Sequence, residues 1–437
     1  MAEIAQFPYF EVQFTKEGAI FDANEAKQVL DFLAQGTTTD LFVFSHGWCN
    51  DMNDARNLYR NFFGHVRDEL NNNPPPNLGA RTFAVLGILW PSKKFTDDEL
   101  IAGGAASLGE PDEEAEMISQ LESLKGVFDH PNADQILEQA KTLVPQLENN
   151  DQAAREFATL IRSLPSKNEG HPEDGSDNFF KIPAETLMDT LSRPELPALS
   201  SGGEMGGAAG FEGGAAGLGS ILGGFVSAAR QVLNFTTYYQ MKERAGIVGR
   251  GGVNQLLRQI RERLPNLKIH LIGHSFGGRL VAAAADGPEN LPPVKPNSMT
   301  LLQAAFSHNG FAEKFDQKRD GFFRKVVTGQ KVAGPIIITH SILDKAVGMA
   351  YPIASKLSGD DASGFGDASS PYGGIGRNGA QFTPEADNGS PLGPVSCVYQ
   401  FQAGKLYNLK ADTVIMGHSD IARSEVAHAL LSAISTT

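Results

Sequence analysis

Buried-strand patterning alternates with amphipathic helical patterning along most of this chain. Residues 40–45 and 81–90 are continuous apolar runs, the pattern of strands covered on both faces in a parallel sheet. Residues 267–272, 298–304 and 335–341 supply further strand-like runs in the second half. Helical spacing falls between them: 23–34 carries its stripe at Val29, Leu30 and Leu33 with Asp22 as its cap, and 55–70 ends before Pro74-Pro75-Pro76. Residues 234–263 and 421–434 read as further helices. Short β-rich runs at 9–14 and 19–21, around Lys16-Glu17-Gly18, predict an opening hairpin, and 398–401 with 405–410 predict a last pair of strands. Strands joined through helices predict an α/β fold with a mostly parallel central sheet flanked by helices.

The alternation stops between 92 and 234, where no buried parallel strand can be placed. Helices are expected at 113–128, 134–147, 151–164 and 184–191, split by Pro and Gly. Between Asp97 and Asp129 ten acidic residues face the single Lys125, a local net charge of -9, read as a solvated helix face or an interaction surface. Residues 201–224 are Gly- and Ala-rich and read as a connector or hinge. The expected division is a core in two parts, 1–91 and 235–437, with 92–234 inserted as a helical and Gly-rich lid or cap over the carboxyl edge of the sheet. Within it, Phe211, Leu218, Ile221, Leu222 and Phe225 either cover the core or line an acyl pocket. The second core part contains a loop at 358–396 rich in Gly, Asp, Asn and Pro, long for a compact domain.

Chemistry enters at Gly273-His274-Ser275-Phe276-Gly277. A serine on a sharp passage from a strand into an Ala-rich helix has its hydroxyl pushed out at the carboxyl end of the sheet. The helix start beyond it offers free backbone N–H groups and a partial positive charge to a developing oxyanion. Alone, the pentapeptide also reads as a tight turn. In this setting the stretch resembles the nucleophile elbow of the α/β-hydrolases, and Met241-Lys242-Glu243-Arg244-Ala245-Gly246 with Val248-Gly249-Arg250 is similar to a pattern in bacterial members of that superfamily. The resemblance implies an α/β-hydrolase fold and an esterase- or lipase-like activity. It also implies that His46-Gly47, after a buried strand, sets an oxyanion-hole N–H on Trp48, with the Phe276 N–H as the second donor; an ordinary β-to-α loop is the alternative.

Nucleophilic serine catalysis needs a base to take the proton and an acid to orient that base. In α/β-hydrolases these follow in the order serine, acid, histidine, each after a strand, and Ser275, Asp344 and His418 fit that order. Asp316 is the second choice of acid. Asp412 and Asp420 flank the base, and Asp51 is expected to cap the helix after the oxyanion loop. His46, Gly47, His274 and His340 are assigned to the substrate-contacting wall, with His274 alternatively a local turn residue and His308 a further residue on the same edge. His270 reads as a core histidine and His428 as structural.

The expected reaction is hydrolysis of a small-molecule or lipid-like carboxylic ester through an acyl-enzyme, without metal or organic cofactor. Thioesterase, peptidase and acyltransferase chemistry share the machinery, and a non-catalytic binding protein on the same fold is the alternative of a different class. A length of 437 residues with 41% apolar residues allows a sizeable core, and a net charge of -14 argues against nucleic-acid partners and adhesion to anionic membranes. Cys49 and Cys397 lack metal-ligand spacing and do not report the redox compartment. Residues 1–10 predict no signal peptide, which favours a cytoplasmic location, and the Gly-rich stretch 213–229 is too short for a membrane span. The oligomeric state is open.

Overall fold

Strands form where the apolar runs are continuous. The computed structural model describes residues 2–48, 51–92, 113–165, 170–193, 224–349 and 368–437. It begins with β1 (Ala2–Ile4), β2 (Phe7–Gln13), α1 (Ala23–Leu33), β3 (Asp40–Ser45), α2 (Met52–Asn72) and β4 (Phe83–Leu89). Asp22 caps α1 by accepting from the Asn24 N–H at 2.9 Å. The opening hairpin is formed by β1 and β2, not by the runs flanking Lys16-Glu17-Gly18, where only an isolated bridge joins Phe14 and Ile20.

Contacts divide the chain into two compact units, one of Met1–Lys94, Met241–Tyr351 and Gly366–Thr437, the other of Phe95–Gln240 and Pro352–Phe365. The second unit contains α3 (Glu113–Ser123), α4 (Ala133–Leu143), α5 (Asp151–Arg162), α6 (Ser176–Lys181), α7 (Ala184–Ser192) and most of α8 (Phe225–Val248). Met117, Leu121, Leu137, Phe157, Phe179 and Met188 are buried in its own core. In its acidic part, Lys125 pairs with Glu138 at 2.5 Å and Lys141 with Glu122 at 2.6 Å on the exposed side of α3 and α4. The sequence pattern missed α6 and started α8 nine residues late, at 234 rather than Phe225. Phe211, Leu218, Ile221 and Leu222, and almost all of the Gly-rich stretch, lie outside the described residues.

The first unit continues through a π-helical turn at Gly249–Val253, α9 (Asn254–Arg263), β5 (Lys268–His274), α10 (Phe276–Asp286), β6 (Ser298–Leu302) and α11 (Arg324–Thr328). It closes with β7 (Ile336–His340), α12 (Lys345–Met349), α13 (Ile375–Asn378), β8 (Ala386–Asp387), β9 (Leu406–Lys410) and α14 (Ser424–Ser435). Residues 398–401 form no strand. Instead Tyr399 and Phe401 stack at 4.7 Å beside Tyr407.

Nine strands make one sheet in the order β1-β2-β4-β3-β5-β6-β7-β9-β8. Every pair is parallel except β1 with β2, so this is an α/β fold with a mostly parallel sheet. All residues of β3, β4 and β6 are buried, the condition of strands with helices on both faces. Phe42 stacks on Phe83 at 5.1 Å, and α2 adds Phe62 against Phe44 at 5.0 Å. Buried Arg279 of α10 donates to the Lys242 carbonyl at 2.9 Å and to Glu243 at 3.1 Å, tying the helix after Ser275 to the end of α8. Among the described residues no helix is long and apolar enough to cross a membrane.

Candidate active site

Ser275 joins β5 to α10 at φ 56 and ψ -126, a conformation rare for a residue with a side chain. Such strain costs about 1–3 kcal/mol and persists only where the surroundings over-determine it. Here they do: the Ser275 N–H donates to the Leu302 carbonyl at 3.1 Å, and its carbonyl accepts from the Gly278 and Ala305 N–H groups, both at 2.9 Å. Gly277 is fixed by a close approach, since a Cβ there would lie 2.1 Å from the Ser45 carbonyl oxygen.

The loop after β3 packs directly on this turn. A Cβ on Gly47 would sit 2.5 Å from the Cβ of Ser275, so only glycine lets the loop come this near. The loop is held from behind. The His46 N–H donates to the Tyr59 hydroxyl at 2.9 Å, and that hydroxyl donates to the Ile88 carbonyl at 2.7 Å. The Trp90 indole donates to the His46 carbonyl at 3.0 Å and stacks on the His46 ring at 5.7 Å. Burial pushes the His46 imidazole down to about 4, against the opposing bond from Nδ1 to the Gly47 carbonyl. Trp48 and Phe276, the two assigned oxyanion-hole residues, meet ring to ring at 5.9 Å. Asp51 caps α2 through the Asn53 and Asp54 N–H groups at 2.8 and 2.9 Å, as the sequence suggested; Cys49 and Asn50 lie outside the described residues.

The structure brings Asp344 and His418 together. Asp344 follows β7 and is fully buried, while the His418 side chain, beyond β9, is 12% exposed. His418 Nδ1–H donates to Asp344 Oδ2 at 2.9 Å, and the Val347 N–H donates to Oδ1 at 3.0 Å. Burial by itself would raise the Asp344 carboxyl. The adjacent His418 imidazole and the hydrogen bonds from His418, Val347 and Gln303 outweigh it and hold the carboxyl below its ordinary range. The loops that carry Asp344 and His418 are stitched by Ser341 Oγ–H to the Ile415 carbonyl at 3.0 Å and the Ile342 N–H to Asp412 at 3.0 Å.

His274 links this pair to the serine turn. Its Nε2–H donates to the His418 carbonyl at 2.9 Å, and the two rings lie 4.9 Å apart. Burial pushes the His274 imidazole down to about 3, with the His418 imidazole acting in the same direction. Of the four residues assigned to the substrate wall, His46 and His274 are enclosed and Gly47 packs on Ser275. His340 turns its Nδ1 toward the Arg377 carbonyl at 3.4 Å.

The remaining histidines and acids have separate work. Asp316 accepts from the Arg319 N–H at 2.7 Å and its guanidinium at 2.6 Å, closing its own turn. Asp420 holds the Met416 N–H at 3.0 Å and Arg423 at 2.7 Å. His308 is buried against Asn378 at 3.1 Å. His270 lies fully buried between Ser298 and Asp40, both at 2.9 Å, and His428 between Glu69 at 2.7 Å and the Cys397 carbonyl at 2.8 Å. Cys397 is a free thiol. Among the described residues no group of three or more His, Cys, Asp or Glu could hold a metal ion.

Sequence reasoning missed Gln303. It follows β6 at φ 44, is fully buried, and donates to Asp344 Oδ2 at 3.1 Å and the Gly376 carbonyl at 2.8 Å. The only signal was a polar residue closing the apolar run of a central strand.

The two enclosed histidines have a consequence for stability. His46 and His274 stay neutral in the folded protein and bind protons on unfolding below about pH 6.5. Their contribution is therefore full above that pH and is lost as pH falls towards 4 and 3, because the unfolded chain then binds more protons. From pH 7.5 to pH 5 each is expected to cost about 2 kcal/mol. Urea unfolding followed by Trp48 and Trp90 fluorescence checks this, with His274→Gln expected to remove roughly half of the two-histidine slope.

In comparisons with known proteins, no family model, no curated protein and no solved structure matches this chain.

Proposed function

We propose that this protein is a serine hydrolase of the α/β-hydrolase type that cleaves carboxylic esters. The observation that carries the reading is the 2.9 Å bond from His418 to buried Asp344, tied by His274 to the strained turn of Ser275. Structural hydrogen bonds also join histidine to acid, as His428 does with Glu69. The pair at Asp344 differs in being linked, through the bond from His274 to the His418 carbonyl, to the turn of a serine held in a costly conformation at the carboxyl end of a sheet strand.

In this reading the Ser275 hydroxyl attacks the ester carbonyl and passes its proton to His418 Nε2, while His418 Nδ1 is bonded to Asp344. Asp344 keeps that tautomer and stabilises the imidazolium. The N–H groups of Trp48 and Phe276 stabilise the oxyanion, each such donor being worth about 3 kcal/mol. His418 then protonates the leaving alcohol, and water attacks the acyl-enzyme by the same route in reverse. The cycle requires no metal or organic cofactor. The insertion of the helical unit between β4 and β5 in the chain supports assigning it the part of a cap that governs substrate access.

Hydrolysis of a nitrophenyl ester series of increasing acyl length, beside a matched thioester and anilide, tests the proposal. Turnover of the esters, with one preferred chain length and slower anilide cleavage, is expected. Thioester cleavage without ester cleavage would move the substrate class, and no turnover of any acyl substrate would remove the proposal.

A further inference from the structure

We propose that Gln303 is a positioning residue for the catalytic acid, its side-chain amide clamping the Asp344 carboxylate so that His418 meets it in one orientation. The inference rests on the serine-hydrolase reading of the site. Asp344 is held by three donors from three segments: His418 Nδ1–H at 2.9 Å and the Gln303 amide at 3.1 Å, both on Oδ2, and the Val347 N–H at 3.0 Å on Oδ1. The Gln303 amide spans to the Gly376 carbonyl at 2.8 Å, which also accepts from the Ser341 N–H at 3.0 Å. It thus joins the end of β6 to α13 and to the loop that carries Asp344.

The chemistry of the neighbours selects an amide. Asp344 Oδ2 and the Gly376 oxygen are both acceptors, so the group between them must donate twice, which an NH₂ does and a carboxylate cannot. Gln303 Oε1 is buried with no hydrogen-bond partner among the described residues, so the side chain is retained at the cost of leaving one acceptor unsatisfied. Its backbone adds to that cost, since φ is 44 in a residue with a long side chain. Two local costs at one fully buried residue, with both donor contacts directed at the acid and its loop, mark a placement made for the acid. The titratable groups at this amide are Asp344 and, across Oδ2, His418; Arg377 reaches the Asp344 main-chain oxygen at 3.5 Å.

Two variants test the clamp. Gln303→Met keeps the approximate volume and removes the donor; kcat is expected to fall at least tenfold with KM within about twofold, because only orientation at the reacting centre is lost. Gln303→Glu has a built-in reversal. The like charge of Asp344 opposes ionisation of the new carboxyl, which at low pH donates its one O–H to Oδ2 and keeps that half of the clamp, so part of the activity is retained. As pH rises the new carboxyl ionises and the clamp becomes a repulsion. The kcat/KM profile of this variant should gain a descending limb that the wild type and Gln303→Met lack, a signature that loss of packing alone would not produce. If Gln303→Met fails to fold, Gln303→Glu carries the test by itself. A proton spectrum of the low-field His418 Nδ1–H resonance needs no turnover, and it should shift in the variants. Wild-type kcat in Gln303→Met, no descending limb in Gln303→Glu, or an unmoved resonance would overturn the clamp. A folded wild type that turns over no acyl substrate would instead remove the hydrolase reading, leaving the resonance to decide the clamp alone.

Discussion

Ser275→Ala is expected to lower kcat for ester hydrolysis about ten-thousand-fold or more, while the protein stays folded. The large effect follows from removing the only atom assigned to bond formation with substrate. The small structural effect follows from what holds the turn: the bonds to Leu302, Gly278 and Ala305 all belong to the Ser275 main chain. Alanine shares the backbone restriction that serine already bears at φ 56, so the substitution adds no new strain. Steady-state kinetics on the preferred nitrophenyl ester, with a thermal melt beside them, measure both halves. A variant that kept a tenth of wild-type kcat would place the nucleophile elsewhere.

Asp344→Asn is the second large effect, expected at about ten-thousand-fold in kcat with little change in KM. An asparagine in this place has one acceptor and one NH₂ where the carboxylate has two acceptors. The three surrounding donors, from His418, Gln303 and Val347, cannot all be satisfied by it. His418 then loses the partner that keeps its proton on Nδ1, the tautomer the proposed proton transfer from Ser275 requires. Asp316→Asn is the control, because Asp316 is occupied by Arg319 in its own turn, and kcat there should stay within about twofold of wild type. Full activity in Asp344→Asn together with a large loss in Asp316→Asn would reverse the two roles.

The parallel strands were legible because their residues are buried on both faces, so β3 and β4 appear as unbroken apolar runs whatever their neighbours are. The meeting of Asp344 with His418 was legible for a related reason: both follow strands of one parallel sheet, and such loops emerge at one edge. The opening hairpin was not legible. Its turn places Ala5 and Gln6 at φ 47 and 62 without the glycine or asparagine that usually announces such a turn. Residues 398–401 misled in the other direction, since Tyr399 and Phe401 are apolar to cover Tyr407 and His428 rather than to pair in a sheet. Within the candidate site, the sequence assigns His46 to the substrate wall and leaves His274 as either a local turn residue or part of that wall. Adjacency in sequence does not tell which side of a loop a ring takes; in the structure the two rings lie against Trp90 and His418. Gln303 left only the trace of a polar residue ending an apolar run, because its contacts are to acceptors at Asp344 and Gly376, 41 and 73 residues away in sequence.

The central claim is that Ser275 is a nucleophile activated by His418 and Asp344. A fluorophosphonate probe followed by peptide mass mapping tests it most directly, because the probe reacts with an activated serine whatever the natural substrate is. The account predicts one covalent adduct per chain, on the peptide that carries Ser275, absent from Ser275→Ala and formed much more slowly in His418→Ala. No adduct on the folded wild type, or an adduct that persists in Ser275→Ala, would contradict it.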